Sequence, residues 1–283
     1  MTAGEGFGAR LTAAVEARGS QVVLGLDPDP ARVPGGAEGA RAFCRRAIAA
    51  AGPACVAAKL QLATFERFGT AGWDAFERVA AAASEAGLLV IADAKRGDVG
   101  VTSQAYADAF LRTPIDALTV NPMLGGDAMA PFVEAAGAGG RGLFALVRTS
   151  NPGAAELQDL PLAGGGLWHE AVARKVADWG APGVDASGIS NVGAVVGATV
   201  PERMVALRAL MPDQPFLIPG VGAQGGRPED LGPAFGGRPA GALVSASRSI
   251  IFAESPRRAA EDLRSRLWAA YEGGDPGEPP EAV

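Results

Sequence analysis

The stretch Asp93-Ala94-Lys95-Arg96-Gly97-Asp98 follows directly on the apolar run Leu88-Leu89-Val90-Ile91. A short, β-branched run of that kind predicts a buried parallel strand, which puts the charges at its C-terminal end. In a strand Asp93 and Lys95 are two apart and share a face, so carboxylate and ammonium can occupy one small site, with Asp98 just beyond on the loop. An ammonium held that way beside a reacting atom can stabilise negative charge and then donate a proton. An isolated D-x-K also fits a loop salt bridge. Three charges directly after four buried apolar residues argue against that, because uncompensated charge there is costly.

Lysine usage sharpens the point: of 25 basic residues only Lys59, Lys95 and Lys175 are lysine. Arginine serves the surface, which leaves lysine for positions that need a compact ammonium able to give up a proton. Lys59 ends a second apolar run, Cys55-Val56-Ala57-Ala58.

These groups need a scaffold, and the pattern supplies one. An amphipathic helix over 7–18 (Phe7, Leu11 and Val15 at helical spacing) closes one end of the domain. Strands are then predicted at 22–26, 54–59, 88–93, 117–120, 142–147, 193–198, 216–219 and 242–245. Helices fall at 38–51, 61–68, 71–86, 99–111, 126–136, 166–180, 201–210 and 255–271, and the segment 154–165 reads as a loop. Eight strands alternating with helices imply parallel pairing and closure, hence a (β/α)8 TIM barrel. No linker divides the series, so residues 1–271 are expected to form one domain. The proline-rich tail 272–283 reads as disordered.

In such a barrel the chemistry gathers at the C-terminal ends of the strands. Asp27 follows strand one, Lys59 ends strand two, Asp93 and Lys95 end strand three, and Arg148-Thr149-Ser150 follow strand five. Five ionisable groups are thus expected on one rim. A second cluster, Pro219-Gly220-Val221-Gly222-Ala223-Gln224-Gly225-Gly226 after strand seven and Ser245-Ala246-Ser247-Arg248-Ser249 after strand eight, occupies the barrel's usual phosphate position. Gly220-x-Gly222-x-x-Gly225 matches a dinucleotide fingerprint in form only, since no acidic ribose ligand stands about 20 residues on.

Composition narrows the classes. With 25 basic and 31 acidic residues the net charge is −6, and no basic cluster marks a nucleic-acid surface. Cys44 and Cys55 are too few for a disulfide framework and lack zinc-ligand spacing, which suits a reducing cytoplasm. No leader pattern and no membrane-length apolar window is evident, so a soluble protein is expected. His169, the single histidine, lies in a predicted helix, so Ser-His-Asp chemistry and histidine-bound metals are not expected. There is no P-loop. What remains is a phosphorylated small molecule held across the barrel mouth with lysine and aspartate around its reacting atom.

Three motifs, Asp93 to Asp98 followed by Thr102, Thr149-Ser150-Asn151-Pro152-Gly153, and Pro219 to Gly226, resemble in type and order those of the orotidine 5′-phosphate decarboxylase family, specifically its longer bacterial subgroup with D-A-K-R-G-D. The resemblance runs from about residue 20 to residue 270. It implies cofactor-free, metal-free conversion of orotidine 5′-phosphate to uridine 5′-phosphate and CO2, the last step of de novo pyrimidine synthesis. By resemblance Asp27 binds a ribose hydroxyl, Lys59 the ribose and the charge array, Asp93 lies against the substrate carboxylate, and Lys95 protonates C6. Ser150 reads the pyrimidine edge. Gln224 and Arg248 hold the phosphate with backbone N–H groups near Gly222 and Ser247, in the loop that opens at Pro219. Asp98 and Thr102 reach into a neighbouring subunit's site, which implies a homodimer. Two rivals are a related Mg2+-dependent phosphosugar decarboxylase, with a similar D-x-K-x-x-D set, and a catalytically silent nucleotide-binding barrel.

Overall fold

Eight short apolar runs form parallel strands: β1 (Val22–Leu26), β2 (Ala57–Gln61), β3 (Leu89–Arg96), β4 (Ala117–Val120), β5 (Gly142–Arg148), β6 (Val192–Val196), β7 (Phe216–Pro219) and β8 (Ala242–Ala246). They close in sequence order, β8 pairing back onto β1. With helical crossovers outside, this is a (β/α)8 barrel, seen here in a computed structural model that describes residues 6–199, 201–222 and 225–273.

The strands read as nearly continuous apolar runs because both faces are covered. Outward residues such as Leu24, Leu60, Val90, Leu118, Ala145 and Val244 pack under the helices. Inward residues make a second, separate core: Val23, Ala57, Leu89, Ile91, Ala117, Phe144, Val195, Leu217 and Leu243. The helix Phe7–Arg18 seals its floor with Phe7, Leu11 and Val15, all fully buried, and Phe7 meets Phe144 edge-on at 6.1 Å. Burying each such side chain contributes roughly 1.5–3 kcal/mol, so the barrel is a solid plug below and open only above.

Five departures from the predicted elements matter. Strand β2 begins at Ala57 rather than 54, because Gly52–Ala54 form a 3-10 turn closed by the Cys55 N–H on Gly52 O at 2.9 Å. Lys59 therefore sits mid-strand, with Leu60 and Gln61 above it. Strand β3 runs on through Lys95 and Arg96. Residues 154–165, expected as loop, contain the helix Ala154–Gln158 and a bridge from Pro161 to Leu167. Between β7 and β8 the crossover is the 3-10 helix Pro228–Phe235, where Pro233, in its interior, removes a backbone donor an α-helix needs. The final helix, Pro256–Gly273, takes in Glu272 and Gly273 of the expected tail; positions 274–283 lie outside the described residues.

Close packing inside the barrel requires glycine at position 193, where an added Cβ would stand 2.3 Å from Pro215 O and 2.8 Å from the Phe144 ring. Backbone cannot yield as a side chain does. Gly193→Ala should lower unfolding stability by about 1–3 kcal/mol in urea titrations, whereas Gly164→Ala, with nothing within 4 Å, should change it little.

Candidate active site

The inward alternation that fills the barrel floor continues upward into polar residues. Above Ala57 come Lys59 and Gln61, above Ile91 comes Asp93, above Ala117 comes Thr119, and above Leu243 comes Ser245. The strands therefore deliver charge and hydroxyls to the open mouth, where a cavity of about 450 Å3 is lined by Asp27, Lys59, Gln61, Asp93, Lys95 and Thr119 on one side. Asp93 sits at the centre of that side. Its Oδ1 accepts from Lys95 Nζ at 2.5 Å and from Thr119 Oγ1 at 2.9 Å, and its Oδ2 accepts from Lys59 Nζ at 2.7 Å and Gln61 Nε2 at 3.2 Å. Asp27 Oδ1 stands 4.0 Å from Lys59 Nζ. Lys59 is buried, but the Lys95 side chain is 42% exposed, so its ammonium is the one a ligand can reach.

Across the mouth the lining changes to Pro219, Gly220, Val221, Ser245, Ser247 and Arg248, with Ser150 and Asn151 between. The short helix Arg248–Ile251 begins here. Gly25 lets β1 approach this corner: a Cβ there would stand 2.7 Å from Ser247 Cβ. Two buried polar atoms in the cavity wall, Asp27 Oδ1 and Ser247 Oγ, have no hydrogen-bond partner among the described residues. The Asp27 oxygen can accept from a ligand hydroxyl or N–H, and the Ser247 hydroxyl can donate to a ligand oxygen. Among the described residues no three His, Cys, Asp or Glu side chains are grouped to hold a metal, and no helix is long and apolar enough to cross a membrane.

Residues 20–263 match the family model described as "Orotidine 5'-phosphate decarboxylase / HUMPS family". The chain belongs to the orotidine 5′-phosphate decarboxylase / HUMPS family. Within it, the orotidine 5′-phosphate decarboxylase of Rhodopirellula baltica is 42% identical over 268 residues, covering 87% of this chain and 88% of its own. That of Deinococcus radiodurans is 40% identical over 272 residues, covering 93% and 97%. The solved structure of Leishmania donovani OMP decarboxylase superposes with a TM-score of 0.81 at 33% identity, covering 94% of this chain and 99% of that one.

Of the residues singled out in the sequence, this family member brings Asp27, Lys59, Asp93, Lys95, Ser150, Pro219, Ser247 and Arg248 to one cavity. Asp98 and Thr102 do not line it; Asp98 Oδ1 accepts from the Val99 N–H at 2.8 Å and Thr102 is exposed on the helix Gly100–Phe110. The Gly222 N–H is engaged by Gly226 O at 2.9 Å, and Gln224 lies outside the described residues. Arg148, expected on the charged rim, turns away. A register shift between Leu146 and Arg148 breaks the alternation, and the guanidinium is buried against Asp159 with two contacts of 2.9 Å. Asp159 also lies 3.0 Å from His169 Nδ1, and Gln158 Oε1 accepts from the Thr149 N–H at 2.7 Å. The segment read as a loop is thus a strap that braces the chain beside Ser150, and His169 is a buried member of it. Sequence reading missed Gln61, Thr119, Leu146, Val195 and Leu217 as lining residues. The signal was there in the two-residue alternation, once each strand's upper end is placed correctly.

Burial would push the Asp93 carboxyl up, but the ammonium groups of Lys59 and Lys95 outweigh it and hold it well below the usual carboxylate range. Burial likewise opposes charge on Lys59, and Asp93 with Asp27 overcomes it, raising that ammonium above its ordinary value. The depressed carboxyl contributes stability that is present above the unfolded carboxylate value of about 3.9 and lost as pH falls through the folded one. The raised ammonium contributes stability present below about 10.4 and lost as pH rises through its folded value. Asp93→Asn should therefore cost about 3–5 kcal/mol at neutral pH. In urea titrations the gap to wild type should narrow below about pH 4; a gap constant down to about pH 3 would contradict the charge assignment.

Proposed function

We propose that this protein decarboxylates orotidine 5′-phosphate to uridine 5′-phosphate and CO2 in pyrimidine synthesis, as a carboxy-lyase needing no cofactor. The observation that carries the reading is a single carboxylate, Asp93, holding two ammonium groups at 2.5 and 2.7 Å on one wall of a cavity whose other wall presents Ser247 and Arg248. Loss of CO2 leaves a carbanion at C6 whose lone pair lies in the ring plane, so the ring cannot delocalise it. A fixed ammonium can stabilise that charge and then quench it by proton transfer. Lys95, the exposed ammonium, fills that role, and Asp93 lies against the departing carboxylate. Both oxygens of Asp93 are already engaged by lysine, amide and hydroxyl donors, which favours lysine over a divalent cation at the reacting carbon.

The remaining roles rest on the family resemblance, and the cavity lining supports those of Asp27, Ser150, Ser247 and Arg248. Asp27, with an unpartnered buried oxygen, takes a ribose hydroxyl, next to Lys59. Ser150 reads the pyrimidine edge. Arg248, with Gln224 and N–H groups near Gly222 and Ser247, holds the phosphate in the loop that opens at Pro219. Phosphate binding far from the bond that breaks supplies energy for closing the site over the substrate. The chain forms one catalytic domain that ends with the helix Pro256–Gly273; it works in the cytoplasm, which accords with two buried, unlinked cysteines. The enzyme works as a homodimer in which Asp98 and Thr102 complete the neighbour's site. Exposed Val99, Val101, Met123 and Leu124 support this. They follow closely in sequence on Gly97 and Asn121, which meet at the ends of β3 and β4, and are large apolar side chains left exposed.

Purified, chelator-treated protein should consume orotidine 5′-phosphate, followed by its loss of absorbance; no loss with wild type would sink the assignment. Lys95→Ala should reduce kcat by about 10⁴-fold or more while the protein still folds, as read by circular dichroism. Lys95→Ala and Asp98→Ala, each inactive alone, should regain about a quarter of wild-type activity when co-expressed, because random pairing leaves one complete site in each mixed dimer. Absence of any regain would place Asp98 in its own subunit's site.

A further inference from the structure

We infer that Thr119 is a positioning residue for the reaction, its hydroxyl fixing both the backbone of Lys95 and the carboxylate of Asp93. The inference rests on the decarboxylase reading and adds a residue to it. Between the pairs Ala92–Leu118 and Arg96–Val120, β3 carries three residues where β4 carries only Thr119. The ladder is broken there, and a side chain replaces it. The Lys95 N–H donates to Thr119 Oγ1 at 2.9 Å, and the same oxygen lies 2.9 Å from Asp93 Oδ1. A backbone N–H can only donate, so Oγ1 accepts there, and its one proton is directed to Asp93. The direction of both hydrogen bonds is therefore forced.

Lys95 needs such a hold. Its φ is +50°, the only positive φ at a non-glycine among the described residues. That conformation is disfavoured for a residue with a Cβ and persists only where the surroundings over-determine it. It brings Nζ back to within 2.5 Å of Asp93 Oδ1, so backbone bend, hydroxyl and ion pair close a single ring of contacts. Thr119 is 1% exposed, and in a valine variant a methyl fills the place of the lost hydroxyl.

Thr119→Val keeps the shape and removes the hydroxyl. Its kcat for orotidine 5′-phosphate should fall about tenfold to a hundredfold while KM changes less, and Thr119→Ser should restore most of it. Thr119→Ala, run in parallel to exclude a packing clash, should behave as the valine variant does. A second readout is independent of substrate: the Lys95 amide, followed by NMR hydrogen exchange, should be protected in wild type and Thr119→Ser and exchange about tenfold faster or more in Thr119→Val. Valine and alanine variants with kcat within about twofold of wild type, or a Lys95 amide equally protected in them, would overturn the inference. Because exchange needs no turnover, failure of the decarboxylase reading and failure of this one are told apart.

Discussion

One carboxylate shared by two ammonium groups governs this structure. Charges so placed are expensive to bury, and each is tolerated only because the others are present: Asp93 satisfies Lys59 and Lys95, and Asp27 adds a second acid 4.0 Å from Lys59. The net positive side of the cluster is turned to the cavity through Lys95, the more exposed of the pair. A cluster like this holds its geometry only if its supports do not move. The closed ring of strands and the apolar plug beneath it, sealed by Phe7, Leu11 and Val15, provide that rigidity.

The cavity is built with two unlike walls. Strands β1 to β4 contribute acids, lysines, an amide and a hydroxyl, and the ends of β7 and β8 contribute small residues, hydroxyls and Arg248. A ligand that suits both carries an anionic end and a polar, charge-developing end. Orotidine 5′-phosphate has that layout. The division also separates tasks, since affinity gathered at the anionic end can be used to orient the other.

Between the walls, the chain beside Ser150 is secured from outside. Arg148 leaves the cavity to pair with Asp159, Gln158 takes the Thr149 N–H, and His169 joins from the following helix. A buried arginine with a bidentate partner and a histidine with a carboxylate neighbour look catalytic in isolation. Here they act as bracing, and their absence from the cavity lining, rather than their residue types, says so.

Much of this was legible in the sequence. Alternating apolar runs and helical spacings specify a parallel closed barrel, since parallel strands need crossovers and cannot leave two apolar faces uncovered. Barrel topology then ties catalysis to the strand ends, which is why Asp27, Lys59, Asp93, Lys95, Ser150 and Arg248 could be placed together in advance. Tertiary structure alone decided which side chains turn inward at those ends. A bulge at Arg148 reversed its face, a 3-10 turn before β2 moved Gln61 to the rim, and a three-for-one bulge opposite Thr119 bent Lys95 into a left-handed conformation. Such shifts depend on pairing with a neighbouring strand, and no local pattern records them, because a one-residue change of register exchanges the two faces while leaving the sequence of apolar and polar residues unaltered.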